Sequence, residues 1–142
     1  MTIAEYHRRI TSIDREALTT SIINTMSDKI VERQQERIFS GLDKNGNQIE
    51  PAYTPFTINM KKLFDQPFDR VTLKDTGDFY KSMFIERKGN DVIFSSKDEK
   101  TEKLTTKYGE EIFGLSEDES KISKEEFTNQ LVKEIKKVLN GV

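Results

Sequence analysis

Residues 14–41, DREALTTSIINTMSDKIVERQQERIFSG, decide the fold. Within them Leu18, Ile22, Met26 and Ile30 recur every fourth residue, with Ile23 and Val31 beside them, which places the apolar side chains in one narrow stripe of a helix. Asp14 offers an oxygen to the free N–H groups at the start, and Gly41 stands where a left-handed residue ends such a helix. The pattern therefore predicts a helix over about 14–39. Its polar flank, Glu32, Arg33, Gln34, Gln35, Glu36 and Arg37, is expected to be a solvated face, with a subunit contact as the alternative. Ahead of it, Ile3 to Ile13 reads either as an arm that orders on a partner or as a short leading helix.

The clearest further element is at the far end. Ser123-Lys124-Glu125-Glu126 has the form of a capping box, followed by Phe127, Leu131, Ile135, Val138 and Leu139 on one face and Asn140-Gly141 as a stop. Between the two helices lies a sheet. Val71 to Phe94 reads as its source, with a hairpin of about Tyr80–Arg87 and Asp91–Ser96 around the Gly89-Asn90 turn. Lys100 to Tyr108 reads as a helix stopped by Gly109, and Ile112-Phe113-Gly114-Leu115 as an apolar knot. The expectation is one α+β domain over residues 1–142, with long N-terminal and C-terminal amphipathic helices packed on a small antiparallel sheet.

Between the first helix and the sheet, Asp43-Lys44-Asn45-Gly46-Asn47 reads as a tight turn. All three prolines, Pro51, Pro55 and Pro67, then fall close to Tyr53, Phe56, Phe64 and Phe68. Flexible linkers are poor in aromatics, so this segment is expected to be an ordered loop pinned by its rings. A short helix fits inside it from Thr57 to Phe64, starting near Thr57 or Asn59.

Composition removes several functions. With 23 Lys+Arg against 25 Asp+Glu the net charge is -2, so there is no basic footprint for nucleic acid. The absence of cysteine excludes disulfides, thiolate nucleophiles and cysteine-based zinc sites. No signal peptide is expected, because Met1 to Ile10 is charged and lacks an apolar core of about 7–15 residues, and no membrane span, because no apolar run approaches roughly 18 residues. No Gly-rich phosphate loop is present. No cofactor is expected.

Catalytic groups are scarce. The single imidazole, His7, sits beside Arg8 and Arg9, where a solvated terminal histidine is the simpler reading than the base of a triad. The turn at Asp43 echoes a calcium loop but has Gln48 where the sixth-position glycine belongs and Thr54 where the last-position glutamate belongs. Asp75-Thr76-Gly77 matches the tripeptide of dimeric aspartic proteases, in which two carboxylates share a proton. Against that stand Lys74 before the Asp, Asp78 after the Gly, and helical pattern where the protease needs strands. A turn that caps the next element is the favoured reading of those residues.

Leu42-Asp43-Lys44-Asn45-Gly46-Asn47, then Tyr53-Thr54-Pro55-Phe56-Thr57 with Lys61-Lys62, then Leu73-Lys74-Asp75-Thr76-Gly77-Asp78-Phe79-Tyr80-Lys81-Ser82 form an ordered series. The series resembles the virion-morphogenesis, tail-completion and neck proteins of long-tailed bacteriophages. The resemblance covers about residues 14–115 and lacks the tryptophan often found near the loop. It implies a non-enzymatic structural protein of a tailed phage or prophage, acting in tail completion and head-tail joining and located in the virion. It also implies a homo-oligomeric, sixfold ring contacting neck, connector or tail-tube proteins. Under it Leu73, Asp75, Thr76, Gly77, Phe79 and Ser82 form a structural turn motif. A prophage-derived interaction module and the protease are the rival readings.

Charge is uneven along the chain. Six of the seven arginines precede Thr72, whereas twelve of the sixteen lysines follow it. Glu110 to Ser120 holds five acids and no base, a stretch expected to be a solvated loop, with docking to a basic partner as the alternative. Glu117, Asp118 and Glu119 on one side and Lys133, Lys136 and Lys137 on the other are candidate subunit contacts, with assembly expected to weaken as salt rises.

Overall fold

In the computed structural model, which describes residues 1–141, helix α1 (Ile3–Thr11) leads into the long helix α2 (Arg15–Phe39). Helices α3 (Pro55–Leu63) and α4 (Asp78–Lys81) follow, then strands β1 (Met83–Lys88) and β2 (Asp91–Ser96). Helix α5 (Thr101–Tyr108), a 3-10 turn at Glu110–Ile112 and helix α6 (Glu117–Asn140) complete an α+β fold.

The Asp14 carboxylate accepts the Ala17 N–H at 3.1 Å and starts α2 where the sequence indicates. Ile22, Met26 and Ile30 are buried along its stripe, packed with Ile85 of β1 and against Phe127 and Leu131 of α6. The central helix is thus covered on one side by the sheet and on the other by the last helix. A second core gathers at the C-terminal end of α2, where Ile38 meets Ile49, Val71, Phe79, Met83 and Ile112.

The polar flank of α2 is only in part the solvated face that its composition predicts: Glu32 and Glu36 are exposed, and Arg33 and Gln35 are half-buried. Gln34 is wholly buried and Arg37 nearly so, because the Ile112–Gly114 segment lies across them. The Gly114 N–H donates to Gln34 Oε1 at 2.8 Å, and Arg37 donates to the carbonyls of Gly114 and Ile112, both at 2.9 Å. A backbone segment without a strand or helix of its own needs such side-chain partners once buried.

The hairpin pairs Met83 with Ser96, Ile85 with Phe94 and Lys88 with Asp91. It begins three residues later than the pattern suggests. Phe79 and Tyr80 belong to α4, and both rings are buried. In a strand, neighbours point to opposite faces; one helical turn lets both enter the same core.

Two helix starts also move. Thr54, not Thr57 or Asn59, caps α3, accepting the Thr57 N–H at 3.2 Å, with Pro55 at the first helical position where a missing N–H costs nothing. α6 begins at Glu117 instead of near Ser123. The Ser116 hydroxyl accepts the Glu119 N–H at 3.2 Å, and the Glu119 carboxylate accepts the Ser116 N–H at 2.9 Å, a capping box one register earlier. Ser123 is buried inside the helix. The acid-only stretch is therefore not a loop throughout: Glu117, Asp118 and Glu119 occupy the first turn of α6, where the helix dipole favours anions. Ile3 to Ile13 resolves to the leading helix α1, and α5 ends at Gly109 as its spacing predicts.

Candidate functional site

The Asp75-Thr76-Gly77 turn lies on the floor of a groove of about 430 Å³ between α3 and α5. Its geometry is set by two residues with positive φ, Leu73 at 56° and Gly77 at 92°. At Gly77 that angle is open to glycine and strained for other residues, and it redirects the chain into α4. The Thr76 hydroxyl accepts the Asp78 N–H at 3.3 Å, which ties the turn to the first residue of α4, but the capping position is Gly77 and no side chain caps the helix, contrary to the expected role of the turn. Leu73 and Phe79 are buried beneath it. Five of the six motif residues, Leu73, Asp75, Thr76, Gly77 and Phe79, line the groove; Ser82 does not, and its carbonyl instead accepts the Lys97 N–H at 2.9 Å.

Tyr53 holds the strained loop in place. Its phenol oxygen accepts the N–H groups of Thr72 at 3.0 Å and Leu73 at 3.2 Å, the pair that an irregular backbone would otherwise leave buried without partners. Tyr80 secures the same point from below, donating its hydroxyl to the Thr72 carbonyl, and burial raises its pKa. Neither role was visible in the sequence, because each ring acts on backbone groups some distance along the chain.

The wall formed by α3 is inverted relative to an ordinary surface helix. Its buried residue is Lys61, whose Nζ donates to the Lys74 carbonyl at 3.0 Å and to Gln66 Oε1 at 3.3 Å and lies 4.9 Å from the centre of the Tyr53 ring. Apart from the half-buried Ile58, its apolar residues and the capping Phe64 face outward: Phe56 is 74% exposed, Leu63 74% and Phe64 64%. Phe56, Met60, Leu63 and Phe64 follow the spacing of one helical face. The expectation that these rings pin the loop is therefore corrected. Tyr53 does the pinning, while Phe56, Phe64 and Phe68 are exposed. The opposite wall is Leu104 and Tyr108 of α5, with Lys100 at its edge.

This chemistry suits recognition of an apolar surface. Asp75 and Asp78 are exposed, and the chain around Asp75 runs from a loop into a single helical turn, not between the strands that hold the aspartate of an aspartic protease. His7 is exposed on α1, at the other end of α2 from the groove. Among the described residues, no three His, Cys, Asp or Glu side chains converge as a metal site, and no helix is long and apolar enough to cross a membrane.

The charged residues singled out as subunit contacts divide. Glu119 turns inward to pair with Arg37, its side chain only 13% exposed, so it leaves the surface set. Glu117 and Asp118 remain exposed at one end of α6, and Lys133, Lys136 and Lys137 are exposed toward the other, Lys137 lying 3.3 Å from Glu134. Comparison with protein-family models, with curated proteins and with solved structures finds no match to the chain.

Proposed function

We propose that the protein is a non-enzymatic structural subunit of a tailed bacteriophage or prophage, acting in virion assembly at the neck or tail terminus, and that the groove over the Asp75–Gly77 turn is a subunit contact. The observation that carries this reading is the inversion of α3. A helix that buries its lysine and exposes Phe56, Leu63 and Phe64 gains nothing from that arrangement in isolation, since exposed apolar surface clustered in this way marks interaction sites. The groove also coincides with the turn motif on which the resemblance to neck and tail-completion proteins rests. A homo-oligomeric ring, sixfold by that resemblance, in contact with connector or tail-tube proteins, accounts for both the groove and the separated charges of α6.

The test is a virion preparation from cells carrying the gene in its phage. The protein is expected in purified particles, and deleting the gene should leave heads and tails unjoined or tails incomplete. Replacing Phe56 and Phe64 with Asp should preserve the fold, because both rings are exposed, and should remove the protein from particles. Normal particles from the deletion would end the proposal.

A further inference from the structure

Two cations are buried among the described residues, Arg37 and Lys61, and only Arg37 has an anion. Lys61 is 8% exposed, and its Nζ donates to two neutral oxygens, the Lys74 carbonyl and Gln66 Oε1, with the Tyr53 ring nearby. An ammonium has three N–H donors, so one is left over, and among the described residues no carboxylate lies within ion-pair reach of it. Taking such a charge out of water is costly unless an opposite charge goes with it. A methionine at this place in α3 would fill a similar volume without that cost.

Lys61 is also not sealed off. It lines the α3–α5 groove together with Phe56, Met60, Phe64, Leu104 and Tyr108, and the groove's volume of about 430 Å³ falls within the roughly 300–1,000 Å³ of ligand clefts. The charged residues of the lining are Lys61, Lys74 and Lys100 against Asp75 and Asp78, three cations to two anions. Both aspartates are exposed, where water and salt screen them, and neither pairs with Lys61. A basic occupant would add to the excess of positive charge. A purely apolar occupant would cover Phe56 and Phe64 but would complete the desolvation of Lys61 with no anion beside it.

We infer that the α3–α5 groove takes an acidic residue flanked by apolar ones, carried by another protein of the particle. Its carboxylate pairs with Lys61 and accepts the remaining N–H, while its apolar neighbours cover Phe56, Met60 and Phe64. The inference rests on the reading of the groove as a subunit contact and states the chemistry of what the groove contacts.

Two end-capped peptides test it on the full-length protein, Ac-Ser-Leu-Phe-Glu-Leu-Ser-NH2 and its counterpart with Gln for Glu, titrated while the amide signals of Thr76 and Gly77 are followed by NMR. The Glu peptide should bind about tenfold more tightly, the equivalent of one charge-assisted hydrogen bond. Lys61→Met should bring the two peptides level, and Lys62→Met, at the exposed next residue, should leave the difference in place. Equal binding to the wild-type protein, no shift at Gly77 with either peptide, or a preference that survives Lys61→Met would overturn the inference. The wild-type comparison needs no variant, so it decides even if Lys61→Met does not fold. If the Glu peptide also breaks up oligomers of the protein in sedimentation, the occupant is a second copy and its assignment to another protein falls. Equal binding of the peptides while Phe56→Asp with Phe64→Asp still strips the protein from particles makes the groove a purely apolar contact, and the assembly role stands. A Lys61-dependent preference together with normal particles from the gene deletion keeps the site and ends the assembly role.

Discussion

Arg37 of α2 pairs with Glu119 of α6 across 82 residues of sequence, and the same guanidinium binds the carbonyls of Ile112 and Gly114. It is the fastening between the central helix and the segment leading into the last one. Arg37→Met removes the cation but leaves Glu119 and two carbonyls without their partner, at a cost of about 3–5 kcal/mol. Glu119→Gln keeps both carbonyl contacts and an oxygen for the guanidinium but removes its counter-charge, and should cost about 1.5–3 kcal/mol. Denaturant titrations of both variants check this order, with Arg37→Met the weaker.

Tyr53→Phe should destabilise the protein by about 1–3 kcal/mol although it deletes one oxygen, because that oxygen accepts two backbone N–H groups. Amide exchange at Thr72 and Leu73 is expected to accelerate more than exchange in α2. Equal acceleration throughout would mean the loop is held by other contacts.

Glu126 is kept below its ordinary pKa of 4.5, first by the hydrogen bond from Arg33, which is itself raised by the same contact. A carboxyl lowered on folding stabilises the protein above its unfolded pKa, and that contribution disappears as pH falls through the folded value. Stability should therefore decline in wild-type protein from about pH 4.5 downward by more than in Glu126→Gln. The pair is partly exposed, so the difference should stay below about 1 kcal/mol. Parallel pH–stability curves for the two proteins would show that the pair contributes nothing.

Glu117 and Asp118 lie at one end of α6 and the exposed lysines toward the other, as a head-to-tail assembly with complementary charge would have them. Association should weaken as salt rises from about 50 mM to 500 mM, where screening shortens to a few ångströms. Lys133→Glu with Lys136→Glu should weaken it further at low salt, with little change at high salt. Sedimentation across the salt series measures both effects.

The periodic elements were legible because each announces itself locally. The stripe of α2, the Gly89-Asn90 hairpin turn and the Gly109 stop need no knowledge of the rest of the chain. Readings failed where two local signals competed or a distant partner decided. Ser116 and Ser123 each stand three residues before a glutamate, and the earlier pair forms the box at a turn that Arg37 also binds. Gln34 and Arg37 look like surface residues until the Ile112–Gly114 backbone covers them. At the groove, the Thr-Gly turn was visible as a motif. The inversion of α3 was not, because its lysine is buried by acceptors on Gln66 and Lys74 that the helix does not contain.

The order in which the chain is made gives the covering of α2 a further consequence. Synthesis proceeds from the N-terminus at about 5–20 residues per second, so α2 leaves the ribosome well before Phe127 and Leu131 exist to shield it. Until then Ile22, Met26 and Ile30 have at most the cover of the hairpin and lack that of α6, and Arg37 has no Glu119 to bind. A chain terminated before α6 would keep part of that stripe exposed, and such surface is what chaperones and proteases recognise.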